Sequence, residues 1–335
     1  MYFVYSSSQN MFEIEYIENL LLSKVDNLSK VTLENFDMKN KEPIILYYSD
    51  ADKQISQEIK TFIEKYNQSF FLIHISDEVL NANYEIYKKA YYIFRGYYSP
   101  SIRYKNCFTI PIGFQSGFLN NSLQKENKFL WSFIGQTYSD RKIMIESLNE
   151  LKPFKTFNID SFMDKNSLSV SEQQEIYKKT LFAPCPFGFA NPDTFRIMEV
   201  LESGCIPIVK KFFFIDYYKF VFGDHPFLIV DEWNQAPGLI RKYLKDENLL
   251  NEKIDEINTW YKRFKLNLSN DVNNVIQNVN SNFLSEQKSY QDSGRNSVLV
   301  FLSFFYYFGL RKKSYFIKIN KAIYKFKEKI KEKIK

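Results

Sequence analysis

Short apolar runs alternate with longer charged segments along most of this chain, and this alternation limits the folds it can adopt. The runs have the length of buried strands and end in polar or glycine-bearing loops. Nine of them are predicted strands: Ile44–Tyr48, Phe70–Ile75, Tyr91–Phe94, Phe108–Ile112, Phe129–Ile134, Phe154–Phe157, Leu181–Ala183, Ile206–Val209 and Phe227–Val230. Intervening segments such as Ile55–Tyr66, Asp140–Leu151 and Ser171–Thr180 have helical spacing. Strands that alternate with helices predict parallel sheets with crossover helices.

A polar stretch, Asn120–Lys128, separates the first four predicted strands from the other five and is the best linker candidate. We therefore predict one α/β domain at residues 1–122 and a second at residues 123–285. An apolar helix at residues 286–310 and a basic tail at residues 311–335 are expected to follow. Ligands bind beyond the carboxyl ends of strands in open parallel sheets. Both domains should thus present strand-end loops to a cleft between them.

The net charge of +6 is unevenly distributed. Residues 311–335 hold eleven Lys or Arg and two Glu, a charge of +9, so residues 1–310 together carry −3. A nucleic-acid reader normally carries basic residues across its folded face as well, so nucleic acid is not an expected partner. The three cysteines, Cys107, Cys185 and Cys205, form no CxxC or Cys/His cluster. Neither a zinc site nor a disulfide framework is expected, and a reducing compartment fits.

The basic tail, residues 311–335, is the sequence feature that bears on where in the cell the protein lies. The N-terminus has neither the basic region nor the apolar core of a signal peptide, and the longest apolar stretch, Val298–Leu310, has only thirteen residues. Lysines alternate with apolar side chains over residues 311–335, so a helix there would be amphipathic. We predict a cytoplasmic protein, peripheral on the inner membrane face and bound to its anionic surface. The alternatives are a solvated basic helix and, for Val298–Leu310, a core helix.

The most informative segment is Phe182–Val209, in which a strand ends in a Pro/Gly loop and a helix follows. Asp193 or Thr194 is expected to cap a helix from Phe195 to Ser203, and Gly204 to terminate it. The free N–H groups at such a helix start favour a phosphate group.

Two charged residues lie on the first turns of that helix. Arg196 offers a guanidinium matched to phosphate oxygens. Glu199 lies on nearly the same face and could accept the hydroxyls of a ribose. The alternative is that Arg196 and Glu199 form an ordinary ion pair between positions i and i+3.

This segment resembles the exostosin family of glycosyltransferases. The family pattern is Cys-Pro-x-Gly followed by Phe-Arg-x-x-Glu-x-Leu-x-x-Gly-Cys-Ile-Pro. The positions that match it are Cys185, Pro186, Gly188, Phe195, Arg196, Glu199, Leu201, Gly204, Cys205, Ile206 and Pro207. An aromatic-rich strand that ends in Gly135, followed by Arg141, matches the family at the opening of its second domain. The resemblance is good over residues 129–230 and loose over the first 120 residues.

The resemblance implies a GT-B fold, with two Rossmann-like domains that face a cleft, and a nucleotide-diphosphate sugar as donor. It implies that Arg196 and Arg141 neutralise the diphosphate, that Glu199 holds the ribose and that the Gly135-Gln136 turn admits the donor. The other expected donor-binding residues are Pro186, Gly188, Asp193, Thr194 and Phe195. No cofactor and no tightly bound metal are expected. Transfer of a hexosyl or pentosyl group to a glycan or lipid-linked glycan, with inversion, is the expected reaction.

An inverting enzyme needs a side chain that removes the proton of the acceptor hydroxyl. His74, Asp77 and Glu78 cluster at the end of the predicted strand Phe70–Ile75 and are the candidate catalytic residues. Each of them could instead be a helix cap or a satisfied loop residue.

Later strand-end loops offer Arg95, Gly113 and Ser116 as acceptor-side candidates. Arg95 could meet an anionic acceptor or donor phosphates, or it could form a salt bridge that closes the cleft. Glycine at position 113 permits the backbone to turn tightly beside a ligand.

Asp50 and Asp52 form an Asp-x-Asp pair, the motif that binds Mn²⁺ in the one-domain GT-A glycosyltransferases. In that class the motif follows a complete nucleotide-binding half, for which fifty residues are too few. We therefore reject GT-A, although the same loop could still contribute to the acceptor side.

Two other functions stay open. One is a non-catalytic, membrane-associated protein that binds glycans or nucleotides with a GT-B shell that has lost its base. The other is a transferase of polyol-phosphate or sugar-phosphate groups. Such an enzyme also needs clustered His and Arg, and this chain has only two His, which ranks it lower.

Overall fold

Two β-sheets, each wholly parallel and flanked by helices, make up the fold. The computed structural model describes residues 1–49, 53–78, 80, 82, 84–119, 125–138, 140–159, 167–212 and 215–278. The first sheet is formed by strands between residues 2 and 109, and the second by strands between residues 129 and 230. The expected alternation of strand and helix is therefore present in both halves.

The first sheet has six strands in the order β2-β1-β3-β4-β5-β6. Their bounds are β1 Tyr2–Tyr5, β2 Ser29–Thr32, β3 Ile44–Ser49, β4 Phe70–Ile75, β5 Ala90–Arg95 and β6 Cys107–Thr109. Its helices are α1 Ile14–Tyr16, which continues as a π-helical turn Ile17–Leu21, then α2 Lys53–Lys65 and α3 Glu85–Lys89. Every residue of β3 and β4 is buried, as expected of central strands covered on both faces.

The second sheet has five strands in the order β11-β10-β9-β7-β8. Their bounds are β7 Phe129–Gly135, β8 Phe154–Asn158, β9 Thr180–Cys185, β10 Ile206–Lys210 and β11 Leu228–Val230. Its helices are α4 Asp140–Leu148, α5 Val170–Lys178, α6 Phe195–Glu202, α7 Lys219–Phe222, a 3₁₀ turn Trp233–Gln235, α8 Ala236–Leu244 and α9 Glu247–Gln277.

Each sheet has one topological switch point, where the chain stops adding strands toward one edge and begins adding them toward the other. In the first sheet β1 lies between β2 and β3, so the reversal falls between β1 and β3. In the second sheet β7 lies between β8 and β9, so it falls between β7 and β9. Ligands of open parallel sheets bind in the crevice beyond the carboxyl ends of the strands at such a point. The topology thus marks one crevice in each domain.

The long helix α9 holds the two domains together. Its Tyr261 hydroxyl and Lys265 ammonium both bind the buried carboxylate of Glu202 on α6, at 2.7 Å and 2.8 Å. About one turn after Lys265, Ser269 shares a hydrogen bond of 2.9 Å with Ser23 of the first domain. The buried negative charge of Glu202 is thereby compensated, as burial requires.

Three features of the fold differ from expectation or fall outside the described residues. Strands β1 and β2, of four residues each, were not predicted. Strand β6 ends at Thr109, and residues 110–118 form a loop instead of a longer strand. Part of the expected linker (120–124), the apolar segment at 286–310 and the tail at 311–335 lie outside the described residues. Within the described part of the chain, no helix combines the length and apolar character needed to cross a membrane.

Candidate active site

Gly135 ends β7 at the crevice between β7 and β9, with a φ of 150°. A Cβ at this position would lie 2.7 Å from Nη2 of Arg196 and 3.7 Å from Nη1 of Arg141. The two guanidinium groups therefore converge on the one residue of the turn that has no side chain. The family resemblance implied a donor-binding role for Gly135, Arg141 and Arg196, and the structure places the three residues together.

Arg141, on the first turn of α4, spans the crevice. Its Nε and Nη2 donate to the carbonyl oxygen of Phe187, in the loop after β9, at 3.2 Å and 2.8 Å. Its Nη1 donates to the carbonyl of Gln136 at 3.2 Å, and its guanidinium lies 4.3 Å from the ring centroid of Tyr138. Burial and the neighbouring charge of Arg196 lower the pKa of Arg141 to about 10, so the group is still a cation at neutral pH.

Arg196, on the first turn of α6, reaches the same point from the other side. Its Nη2 donates to the carbonyl of Ile134 at 2.6 Å, and its guanidinium lies 4.7 Å from the ring centroid of Phe133. Its Nε and Nη1 are buried and have no hydrogen-bond partner of ordinary geometry among the described residues, although the hydroxyl of Tyr177 lies close to the guanidinium. A buried N–H donor without a hydrogen-bond partner reduces the stability of the folded protein unless a ligand or a water molecule binds it.

The alternative ion pair between Arg196 and Glu199 is not formed. Among the arginines in the described part of the chain, Arg95 and Arg241 are the ones in ion pairs with carboxylates. The carboxylate of Glu199 instead accepts from the backbone N–H of Gln115, in the first domain, at 3.4 Å. Burial raises the pKa of Glu199 to about 7, against the opposing charge of Arg196.

The loop from Pro186 to Thr194 joins β9 to α6 and faces the first domain. Gly188 has no room for a side chain, since a Cβ would lie 2.8 Å from both the carbonyl oxygen of Asn191 and the Glu78 carboxylate. Asp193 is buried, and its Oδ2 accepts from the backbone N–H of Ile112 at 3.2 Å. Burial raises the pKa of Asp193 to about 7.

No side chain among the described residues caps the N-terminus of α6. Thr194 is the N-cap residue, but its side chain makes no capping hydrogen bond, and its hydroxyl oxygen is buried without a partner among the described residues. The first helical residue is Phe195, which packs against the core, and Pro186 is buried at the end of β9. The helix therefore presents an uncapped N-terminus next to Arg196, which favours an anion.

The three candidate catalytic residues of the first domain do not share one environment. His74 and Asp77 are buried in a network with Arg95: Arg95 pairs with Asp77 at 2.6 Å, and its Nη1 lies 3.2 Å from His74 Nδ1. Burial and the charge of Arg95 lower the pKa of His74 to about 3. Although burial opposes ionisation, the charge of Arg95 keeps the pKa of Asp77 below its usual value.

Unlike His74 and Asp77, Glu78 contacts the second domain with its side chain. Its Oε1 accepts from the backbone N–H groups of Ala190 and Asn191, at 2.6 Å and 3.2 Å. Of the three candidates it is thus the one placed against the Gly188 loop. The prediction that a residue of this trio acts in acceptor chemistry is untested, and the geometry favours Glu78 over His74 and Asp77.

The acceptor-side candidates have internal partners. Arg95 forms the salt bridge that was its alternative role, although inside the first domain. Gly113 has a φ of 90°, and a Cβ there would lie 2.2 Å from the ring of Tyr16. Ser116 donates from its hydroxyl to the carbonyl of Phe12 at 2.8 Å and accepts from the N–H of Glu15 at 3.2 Å. The loop of residues 110–118 is therefore bound to the segment after β1.

Two buried or strained residues of the first domain were missed by the sequence argument. Glu13 follows the unpredicted strand β1, is buried and accepts a hydrogen bond from the hydroxyl of Tyr47. Tyr97 follows β5 in a left-handed conformation with a φ of 58°, and Ser76 and Leu80, on either side of Glu78, have positive φ as well. Such strain in residues other than glycine clusters at functional sites. Recognition of β1 would have placed Glu13 in the connection between a strand and the helix α1.

A metal centre is not formed by the residues described. Among them, no three His, Cys, Asp or Glu side chains cluster closely enough to hold a metal ion. Asp50 and Asp52 lie outside the described residues. The expected metal independence is thus a prediction for experiment.

Comparison with known proteins identifies a family for this chain. The family model described as the RXYLT1 C-terminal domain matches residues 115–284, more than half of the chain. No curated protein matches the chain. The family match contains the crevice residues Gly135, Arg141, Arg196 and Glu199.

Solved structures show the same fold. A DNA-modifying β-glucosyltransferase, crystallised with and without its substrate uridine diphosphoglucose, is 12% identical with a TM-score of 0.51, covering 83% of this chain and 99% of its own. A structure of the T4 phage β-glucosyltransferase is 11% identical with a TM-score of 0.50 and the same two coverages. The two-domain architecture is the GT-B fold.

Proposed function

The chain belongs to the RXYLT1 C-terminal domain family of exostosin-like glycosyltransferases, and we propose that it transfers a hexosyl or pentosyl group from a nucleotide-diphosphate sugar to a glycan or lipid-linked glycan. One observation carries the donor class. Arg141 and Arg196 converge on Gly135 without a carboxylate partner in the described part of the chain.

A diphosphate group would be the anionic partner that Arg141 and Arg196 do not have among the described carboxylates. It carries negative charge and has oxygens that can accept from the two unpartnered donors of Arg196, and guanidinium groups bind phosphate oxygens with two parallel hydrogen bonds. Preorganised cations also stabilise the charge that develops on a departing diphosphate. Arg141 and Arg196 would therefore serve both binding and catalysis.

The neighbouring residues extend this donor site. Glu199 would accept the hydroxyls of the ribose, and the uncapped start of α6, at Thr194 and Phe195, would face a phosphate. The glycine at 135 leaves room for the guanidinium of Arg196, and the glycine at 188 leaves room for the carboxylate of Glu78. Gln136, Pro186 and Asp193 complete the proposed donor side.

The acceptor side is proposed to lie on the first domain, across the cleft. Glu78 is already in contact with the donor loop through Ala190 and Asn191. Arg95, Gly113 and Ser116 would act indirectly, because each is bound to its own domain. Asp77 and His74 would support Glu78 by holding Arg95 and the loop after β4.

Location and pathway are proposed from the sequence alone. The basic, amphipathic composition of residues 311–335 supports a peripheral position on the inner membrane face. Lipid-linked glycans at such a surface would be suitable acceptors, in the synthesis of a surface polysaccharide. No cofactor beyond the donor and no divalent metal is included in this proposal.

The proposal is tested with a panel of nucleotide sugars, beginning with uridine diphosphoglucose. Release of nucleoside diphosphate is measured for the wild type, Arg196→Ala and the control Arg241→Ala, which removes an exposed arginine on α8. Loss of a charged donor to the leaving group should cost about 2–4 kcal/mol, or roughly two to three orders of magnitude in rate. The control should keep the wild-type rate. Near wild-type turnover in folded Arg196→Ala would contradict the proposal.

A further inference from the structure

Glu78 uses its two carboxylate oxygens differently. Its Oε1 accepts both hydrogen bonds from the second domain, from the backbone N–H groups of Ala190 and Asn191. Its Oε2 accepts no hydrogen bond from the described residues and is not enclosed by the fold, since the side chain is half-buried and Oε2 is not among the buried oxygens without a partner. The carboxylate is thus fixed through one oxygen, and the other is left for a ligand.

The fixed carboxylate lies next to the proposed donor site. A Cβ at Gly188 would lie 2.8 Å from Oε1 of Glu78 and 3.2 Å from Cγ2 of Thr194. Thr194 is the N-cap residue of α6, where the proposed function places a phosphate of the donor. Phe187, the residue before Gly188, accepts from the guanidinium of Arg141 at 2.8 Å. Glu78 therefore contacts the same short loop as the groups that would bind the diphosphate, to which the anomeric carbon is bonded.

The turn that carries Glu78 is held by its neighbour Asp77. Asp77 is 1% exposed and pairs with Arg95 at 2.6 Å. Its Oδ1 accepts from the backbone N–H of Ala82 at 3.1 Å, and its Oδ2 accepts from the hydroxyl of Tyr84. Asp77 is thus committed to the structure of the turn. A carboxylate on a turn held in this way, and itself bound to the donor loop, meets the positional requirement for proton transfer.

We infer that Glu78 is the general base of the sugar transfer and that Oε2 is the atom that accepts the proton, an inference that rests on the proposed function. Oε2 takes the proton of the acceptor hydroxyl as the hydroxyl oxygen bonds to the anomeric carbon of the donor. The bond from the anomeric carbon to the diphosphate breaks, and its electron pair leaves with the nucleoside diphosphate. The anomeric centre is inverted because attack and departure take place on opposite sides. Oε1 stays bound to the donor loop throughout and positions the base against the donor.

The test separates the two oxygens on the full-length chain. The nucleotide sugar selected by the panel is incubated with water alone or with azide, and nucleoside diphosphate release is measured. Water needs a base, whereas azide is already deprotonated. In Glu78→Gln the amide oxygen can still accept from Ala190 and Asn191, but the amide cannot take the proton. The water reaction should fall about 100-fold or more, while the azide reaction and the Kd of the nucleotide sugar stay within a few-fold of wild type.

Two further variants complete the comparison. Glu78→Ala removes both the base and the contact with the donor loop, so it should lose the water reaction and also bind the nucleotide sugar more weakly. Glu64→Gln, an exposed residue of α2, is the matched control and should change neither rate nor affinity.

Each contrary result has a separate meaning. A Glu78→Gln protein whose water reaction equals that of the wild type overturns the inference. Water and azide reactions that fall equally in Glu78→Gln overturn it as well, because Glu78 would then only position the loop. Wild-type protein that neither binds nor consumes any nucleotide sugar overturns the proposed function itself.

A free carboxylate provides a second test, which stays valid if Glu78→Gln does not fold. Glu78→Ala leaves the N–H groups of Ala190 and Asn191 without their acceptor, and formate can bind there and take the place of the missing base. Formate should raise the water reaction of Glu78→Ala about tenfold or more and leave the wild-type rate unchanged, with sodium chloride at the same ionic strength as the control. A folded Glu78→Ala protein that binds the nucleotide sugar and gains nothing from formate overturns the inference.

Discussion

Arg141 donates two hydrogen bonds to the carbonyl of Phe187 and thereby joins helix α4 to the loop after β9. The two elements meet at the point where the second sheet reverses its direction. The same contact holds the guanidinium next to Arg196 at Gly135. Two cations held side by side repel each other, so the arrangement is favoured by an anion that lies against both.

Gly135→Ala should weaken donor binding. The new Cβ would lie 2.7 Å from Nη2 of Arg196, so the guanidinium must shift, and the Kd of the selected nucleotide sugar should rise about tenfold or more. Gly238→Ala, on α8, is the control because a Cβ there meets nothing within 4 Å. That change should leave binding intact and stabilise the helix by about 0.5–1 kcal/mol. Equal affinities in both variants would show that Gly135 does not border the donor.

The stability that Glu199 and Asp193 contribute to the nucleotide-free protein should be lost as the pH rises toward about 7. Burial raises the pKa of Glu199 and of Asp193 to about 7 in the folded state, above the values of roughly 4 in an unfolded chain. The folded state thus binds more protons, and the associated stability is complete below the unfolded values and lost through about 7. Melting temperatures measured from acid to neutral pH should decline less in Glu199→Gln than in wild type. An identical decline would contradict the burial of a protonated Glu199.

Activity should survive removal of divalent metals. The leaving diphosphate is expected to be stabilised by Arg141 and Arg196, so a chelator should change the rate of nucleoside diphosphate release only modestly. Added Mg²⁺ or Mn²⁺ could still assist product release. Complete loss of activity in chelator, restored by metal, would revive Asp50 and Asp52 as a metal site.

The basic tail should bind anionic vesicles. Each basic residue near a negatively charged surface contributes about 1 kcal/mol, and residues 311–335 carry eleven of them. Full-length protein should sediment with anionic vesicles at low salt and be released by high salt, whereas a chain that ends at residue 310 should stay in the supernatant. Neutral vesicles are the control. Unchanged sedimentation after the deletion would contradict the membrane assignment.

The sequence predicted the second domain well because its residues are constrained locally. The strand Phe129–Gly135, the loop at Pro186 and the helix at Phe195 follow one another as the residue pattern indicates. Contacts between domains were not predictable in the same way. Nothing local indicates that Glu78 binds Ala190 or that Glu199 accepts from Gln115, since each pair is separated by more than eighty residues.

Burial was the other property that the sequence did not reveal. His74 and Asp77 follow a strand and resemble catalytic groups, yet Arg95 on the adjacent strand β5 binds both of them. Glu13 was missed because the preceding strand Tyr2–Tyr5 was not recognised at the start of the chain. A short strand can still lie inside a sheet when it pairs with a strand on each side, as β1 does with β2 and β3. That outcome depends on tertiary packing, which the local sequence does not determine.

The binding of a nucleoside diphosphate to wild type and to the double variant Arg141→Ala/Arg196→Ala tests the central claim most directly. Ligand at 100 times its Kd should stabilise the wild type by about 2.7 kcal/mol, and the rise in melting temperature reports this. The account predicts a clear rise for the wild type, a weaker one as salt increases, and none for the double variant. A folded double variant that is stabilised as strongly as the wild type would contradict it.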